Sequence, residues 1–369
     1  MRVLSLFLAM MILPLSGHAA DMHDTSAGAV RVEQVVAKLN RPWAVAFLPD
    51  GGLLITERDV RKIQHINTEG RKSEIAGLPE ISRSGQGGLL DLVLAKDFEA
   101  TRELFLSYAE PDGFAQRTAL AVARLSDDAG KLENFRVIFR LSNATDSGSH
   151  FGGRIVEDPM GALFLTIGDR ARSSLSQDPK EHNGKVVRVN RDGSIPADNP
   201  FANGPLLPEI WSMGHRNPQG AALDEKGRLW TVSHGAAGGD EVNQPRPGRN
   251  YGWPVISYGT HYSGASIGIG TTAPGMEQPR HYWDPSIAPS GMMIYSGKLF
   301  PAWKGSIFVG SLKFDHISRL ARNDDRITGE ERLFNGAYER IRDVREAPDG
   351  SIWFLSVGDR ALYRITPAQ

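Results

Sequence analysis

The sequence predicts an all-β chain folded as a β-propeller, and three observations carry that prediction. A turn followed at once by a short apolar strand recurs six times. The 40 glycines and 22 prolines sit largely at turn positions between apolar strands rather than in a low-complexity tract. Amphipathic helical windows are missing, whereas alternating or short apolar runs such as Ala44-Val-Ala-Phe-Leu48, Leu120-Ala-Val-Ala-Arg-Leu125 and Lys185-Val-Val-Arg-Val189 are frequent. A strand-plus-turn unit repeated every few tens of residues marks a repeat architecture whose units bury their faces only by stacking around a ring.

The six copies are Gly51-Gly-Leu-Leu-Ile-Thr56, Arg102-Glu-Leu-Phe-Leu-Ser107, Gly161-Ala-Leu-Phe-Leu-Thr166, Gly227-Arg-Leu-Trp-Thr-Val232, Gly305-Ser-Ile-Phe-Val-Gly310 and Gly350-Ser-Ile-Trp-Phe-Leu355. The second lacks the glycine and is the weakest. Their spacing is uneven, so some blades carry long insertions. The longest lies between the fourth and fifth copies, residues 233–295. Long loops on a rigid scaffold are where function is usually housed.

Residues 1–20 read as a secretory signal peptide: a basic start at Arg2, a mostly apolar run from Leu4 to Leu15, and small residues in Gly17-His-Ala-Ala20 for cleavage. A polar leader follows from Asp21 to about Val30, and residues 31–367 read as one propeller domain. No later stretch approaches the ~20 apolar residues of a membrane span. An exported chain without cysteine has no disulfide staples, but at 369 residues it is long enough to hold a core unaided. The formal charge is −1, or −2 (41 basic against 43 acidic residues) once Arg2 leaves with the signal. That balance favours neither a nucleic-acid partner nor a membrane surface.

Four polar clusters beside these strands carry candidate chemistry. In Ser149-His-Phe-Gly-Gly-Arg154, small residues give close access to His150, a side chain able to act as a general base near neutral pH. In Gly214-His-Arg-Asn-Pro-Gln-Gly220, Arg216 and Asn217 present a guanidinium and an amide that suit a carboxylate or a developing oxyanion. In Arg340-Ile-Arg-Asp343, strand alternation places Arg340 and Arg342 on one side and Asp343 on the other. Two like charges on one face repel unless an anion lies between them. Lys313 and Arg216 raise the set to four cations, and a propeller would gather them at its axis around an anionic ligand. The fourth cluster, residues 233–243 followed by Asn250-Tyr-Gly-Trp-Pro254, offers carbonyl oxygens, Asp240 and Glu241, which suit a hard cation or equally a solvated acidic turn.

These residues bring a family into view. The chain resembles the soluble, pyrroloquinoline-quinone-dependent aldose sugar dehydrogenases, relatives of soluble quinoprotein glucose dehydrogenase, from about Leu39 to Ile365. The markers are Arg41-Pro-Trp43, Gly85-Gln-Gly-Gly-Leu-Leu-Asp91, His150-Phe-Gly-Gly-Arg154, Gly184-Lys-Val-Val-Arg188, Asp198-Asn-Pro-Phe201, the stretches 214–220 and 250–254, and Arg340-Ile-Arg-Asp343. The resemblance implies a six-bladed propeller, in agreement with the six copies.

It also implies roles. His150 would be the base that takes the hydroxyl proton at the sugar's anomeric carbon as hydride passes to the quinone. Arg216 and Asn217 would contact the quinone, while Lys313, Arg340 and Arg342 would hold its carboxylates. Gln86 would contact cofactor or substrate, Tyr262 would line the cofactor site, and Trp283 would form an aromatic lid over the substrate. A calcium ion would bind through the carbonyls of Gly235 and Ala236, and Glu241 with Tyr251 would mark a structural calcium. The implied partners are an aldose and an external electron acceptor, the implied setting is the periplasm, and the implied state is a monomer or homodimer.

Two departures stand out: Ala236 replaces the family's usual proline after Gly235, and Ser149 replaces the aspartate of the glucose dehydrogenase branch. The competing readings are a calcium-dependent propeller lactonase or esterase, which leaves Arg340 beside Arg342 unexplained, and a non-catalytic propeller that binds a glycan or a protein.

Overall fold

In the computed structural model, which describes residues 20–368, almost every element is a β-strand. The signal-peptide expectation for residues 1–20 lies outside the described residues save for Ala20. The strands form six antiparallel sheets. Blade 1 holds Pro42–Phe47, Leu53–Glu57, Lys62–Ile66 and Lys72–Glu74. Blade 2 holds Leu89–Leu94, Glu103–Asp112, Ala115–Leu125 and Leu132–Arg140. Blade 3 holds Ile155–Glu157, Leu163–Ile167, Lys185–Val189 and Ile210–Met213. Blade 4 holds Pro218–Leu223, Leu229–Ser233, Asp240–Asn243 and His281–Trp283. Blade 5 holds Pro289–Ile294, Ile307–Ser311, Ile317–Asn323 and Arg326–Leu333. The molecule is a six-bladed β-propeller.

Every one of the six sequence copies supplies the second strand of its blade. These strands are buried throughout in blades 1, 3, 4, 5 and 6 because both faces pack on neighbouring blades, which is why they read as apolar runs rather than alternating ones. Fully burying each such Leu, Ile or Phe contributes about 1.5–3 kcal/mol.

Blade 6 is built from both ends of the chain. Ile341–Glu346, Ile352–Ser356 and Ala361–Pro367 come from the C-terminus, and Gly28–Val36 and Asp21–Thr25 complete the sheet from the N-terminus. Val32 pairs with Ile365 in antiparallel register. The stretch expected to be a polar leader is thus partly a strand. Asp21–Thr25 is an exposed edge strand, and its polar residues reflect that edge position. Val30 and Val32, by contrast, enter an aromatic core with Phe308, Phe354 and Tyr363 between blades 5 and 6.

Candidate active site

The first strands of neighbouring blades pack side by side, and one end of the ring opens into a cavity of about 630 Å³. The wall residues come from two kinds of segment. One is the segment entering or beginning a first strand: Arg41 and Trp43, Gln86, Phe151 and Gly152, Asn217 and Gln219, Ala288, and Arg340 with Arg342. The other is the segment leaving a second strand: Arg58, His234, Leu312 and Lys313. First-strand entries from all six blades and second-strand exits from three of them therefore build one funnel.

Five of the residues singled out from the sequence share this wall: Gln86, Asn217, Lys313, Arg340 and Arg342. Arg340 and Arg342 reach it by a route that strand alternation does not describe. Arg340 precedes the strand with φ at 54°, and the register shifts between Ile341 and Asp343. A bulge re-aims side chains in this way. Asp343 does point elsewhere, into a buried network with Arg154 and Arg345. Burial pushes the Arg342 guanidinium down to about 9, and the nearby Arg58, Arg154 and Arg340 add repulsion. Arg58, Arg340 and Arg342, crowded at one wall, are an anion site by Coulomb's law.

His150 directly precedes the wall residues Phe151 and Gly152, and its side chain is 15% exposed. Its backbone N–H donates to Gln86 Oε1 at 2.8 Å. Its ring Nδ1 lies 2.6 Å from Asp169 Oδ1. A carboxylate at that distance makes Nδ1 the protonated nitrogen and leaves Nε2 as the acceptor. Asp169 Oδ2 accepts from Trp253 Nε1 at 2.8 Å, so the carboxylate is held at both oxygens. Two glycines permit the approach. A Cβ on Gly168 would come 2.1 Å from His150 O, and one on Gly85 would come 2.3 Å from Gly148 O.

Arg216 lies over Trp253, 5.3 Å from the ring centroid, and donates to the carbonyl of Gly235. Asn217 Oδ1 accepts from Gly152 N–H at 3.2 Å, which ties the loop after His150 to the entrance of blade 4. His234 contributes a ring Nε2 that is buried without a partner among the described residues, and its pKa is pushed down to about 3 by burial, Arg216, Arg342 and His150. It is neutral at ordinary pH and offers a free hydrogen-bonding position at the wall.

The glycine loop after blade 4's second strand is crowded with oxygen. A Cβ on Gly235 would meet Gly238 O at 2.0 Å and Gly239 O at 2.6 Å. Asp240 holds this loop in place, accepting from the N–H groups of Gly235 and Ile287, each at 2.8 Å, and from that of Ala288 at 3.1 Å. It is therefore a buried structural carboxylate rather than a solvated one. Glu241 accepts from Asn243 Nδ2 at 2.9 Å, and burial together with Asp240 raises its pKa to about 7. Tyr251 stacks on His215 and bonds through its hydroxyl to Gln244 O and Arg246 N. Among the described residues no hydrogen bond joins Glu241 to Tyr251, and no group of three or more His, Asp or Glu side chains is arranged to hold a metal. A cation here would rely on backbone oxygens.

Of the two aromatic expectations, position corrects the one for Trp283. Tyr262 is 80% exposed on a turn closed by Thr260 and Ser266 and does not line the cavity wall. Trp283 is buried between blades 4 and 5 with Nε1 donating to Glu330, so it is a core residue and not a lid. Conversely, Arg58, His234, Gln219 and Asp169 were not singled out from the sequence. A signal existed for three of them: Arg58, Asp169 and His234 stand just past a second strand, as Lys313 does.

A six-bladed propeller with a cationic axial funnel and a carboxylate-held imidazole next to its wall in sequence defines the class. The chain belongs to the glucose/sorbosone dehydrogenase family, whose model matches residues 39–364, and it is therefore an oxidoreductase. It is 43% identical over 335 residues to the aldose sugar dehydrogenase YliI of Escherichia coli, covering 89% of this chain and 90% of that protein. The crystal structure of the soluble aldose sugar dehydrogenase of E. coli in its apo form superposes with a TM-score of 0.88 at 41% identity, covering 92% of this chain and 100% of that one. The PQQ-bound aldose sugar dehydrogenase of Streptomyces coelicolor superposes with a TM-score of 0.75 at 28% identity, covering 91% and 98%.

Proposed function

We propose that this protein oxidises aldoses at the anomeric carbon to lactones, using pyrroloquinoline quinone held with calcium in the funnel and passing electrons to an external acceptor in the periplasm. The observation that carries this reading is the convergence of Lys313, Arg340 and Arg342 on one wall, beside the unpartnered His234 nitrogen. A planar tricarboxylate fits that donor set, and its charge would offset the repulsion among the arginines. The carbonyl oxygens of Gly235 and Ala236 fit a hard cation, since Gly235 O keeps a second lone pair beyond the one Arg216 engages. When bound, the quinone supplies the hydride acceptor, and calcium supplies Lewis acidity to it.

The protein's own residues do the rest. His150 takes the anomeric hydroxyl proton at Nε2, because Nδ1 is engaged by Asp169. Asp169 stabilises the imidazolium that forms. Arg216 and Asn217 place positive potential and a hydrogen-bonding amide where negative charge develops. Gln86 fixes the backbone of the base from the facing loop. Glu241 and Tyr251 belong to the loop system that would carry a structural calcium. Tyr262 enters only as part of the outer loop beside this system. No helix among the described residues is long and apolar enough to cross a membrane.

The test is reconstitution. Apoprotein titrated with the quinone and calcium should reduce a redox dye with a panel of aldoses, and chelator or omission of quinone should abolish the signal. Aldose oxidation that persists without quinone would end the proposal.

A further inference from the structure

The loop that presents His150 has no strand ladder to hold it, yet each of its three preceding carbonyls is taken. Gly148 O accepts from Gln86 N–H at 2.6 Å. Ser147 O accepts from Arg170 Nη2 at 2.5 Å, and Ser149 O from Arg170 Nη1. One guanidinium thus grips the chain on both sides of Gly148. Its face lies 3.4 Å from the centroid of Phe151, the residue after His150. Arg170 itself is fully buried, and its hydrogen bonds run to carbonyls rather than to a carboxylate. Arg170, Ala171 and His150 all take positive φ, near 55°, 57° and 53°. Three non-glycine residues in that region, two of them beside the base's carboxylate partner, need surrounding contacts to hold them there.

We propose that Arg170 is a positioning residue for His150. Asp169 holds the ring and Arg170, its neighbour in sequence, holds the backbone and the following aromatic, so consecutive residues of one loop fix the base in two independent ways. A buried cation without a carboxylate partner costs stability, and a methionine would fill the same volume without that cost. The residue therefore makes sense through the geometry it imposes. This deepens the reading of His150 as base and rests on it.

The experiment compares Arg170→Met and Arg170→Lys with the parent, each as reconstituted holoenzyme and as apoprotein labelled with 15N-histidine. The His150 imidazole signal is assigned by its loss in His150→Asn. Arg170→Met is expected to lower kcat on the order of 10- to 100-fold, the scale of a misplaced catalytic group. KM, quinone affinity and melting temperature should hold, the His150 imidazole signal should shift and broaden in the apoprotein, and Arg170→Lys should recover part of both effects. An unmoved His150 signal overturns the proposal, whether kcat is unchanged or falls together with melting temperature. The two readings separate cleanly. Normal turnover by His150→Ala removes His150 as base, while the imidazole signal still reports whether Arg170 sets its position.

Discussion

Arg342 Nη1 donates to Gln219 Oε1 at 3.1 Å, joining first strands of two non-adjacent blades across 123 residues of sequence. The contact pins a cation whose charged form is disfavoured by burial and by Arg58, Arg154 and Arg340. Arg342→Met should therefore weaken quinone binding by about 10- to 100-fold, the loss of a charged hydrogen bond, without lowering the melting temperature of the apoprotein. Quinone titration and thermal unfolding on one preparation check both. Unchanged affinity with a large drop in melting temperature would refute the role.

Asp169 spends one oxygen on His150 and the other on Trp253. Asp169→Asn keeps the shape but lets the amide turn its NH₂ toward Nδ1, which favours the wrong tautomer. We expect kcat to fall by about 10²-fold or more, with quinone affinity little changed. Steady-state kinetics with several aldoses, alongside a quinone titration, provide the measurement.

Glu241 gives a pH signature. Its pKa is raised from 4.5 to about 7, so the native state holds the extra proton between those values. By linkage, stability from this group is greatest below about 4.5 and falls as pH rises to about 7. Glu241→Gln should stabilise the calcium-free protein by on the order of 1–3 kcal/mol at pH 8 and by almost nothing at pH 4.5. Denaturant unfolding at the two pH values in chelator decides it, and equal effects at both would remove the argument.

Tyr262 stands 80% exposed and off the cavity wall. Tyr262→Ala should leave quinone affinity and melting temperature at parental values. A marked loss of affinity would return this side chain to the cofactor site.

The architecture was legible because its signal is local. A turn and the apolar strand after it are adjacent in sequence, and each copy is a second strand whose burial on both faces forces an apolar run. The site was legible in part for the same reason: Lys313 stands just past one of those strands, and Gln86, Asn217, Arg340 and Arg342 lead into or begin the strand before one. What escaped depends on contacts between distant residues or on unusual backbone. Asp169 reads as an ordinary acidic turn until the fold sets it against His150. The path of Arg340 and Arg342 depends on a bulge and a positive φ that alternation cannot foresee. Asp21–Thr25 is polar because it is an outer edge, so nothing in its composition separates it from a leader.

Because Gly28–Val36 pairs with Ala361–Pro367, the ring is a clasp fastened by its two ends. The circle cannot shut until the last strand has been made, so no partly synthesised chain owns a finished funnel. Arg340 and Arg342 arrive in that same final stretch. The closing of the ring follows the arrival of two of the arginines that line the funnel by only two strands, so a chain shortened by a single strand at its C-terminal end forfeits closure while still carrying both arginines.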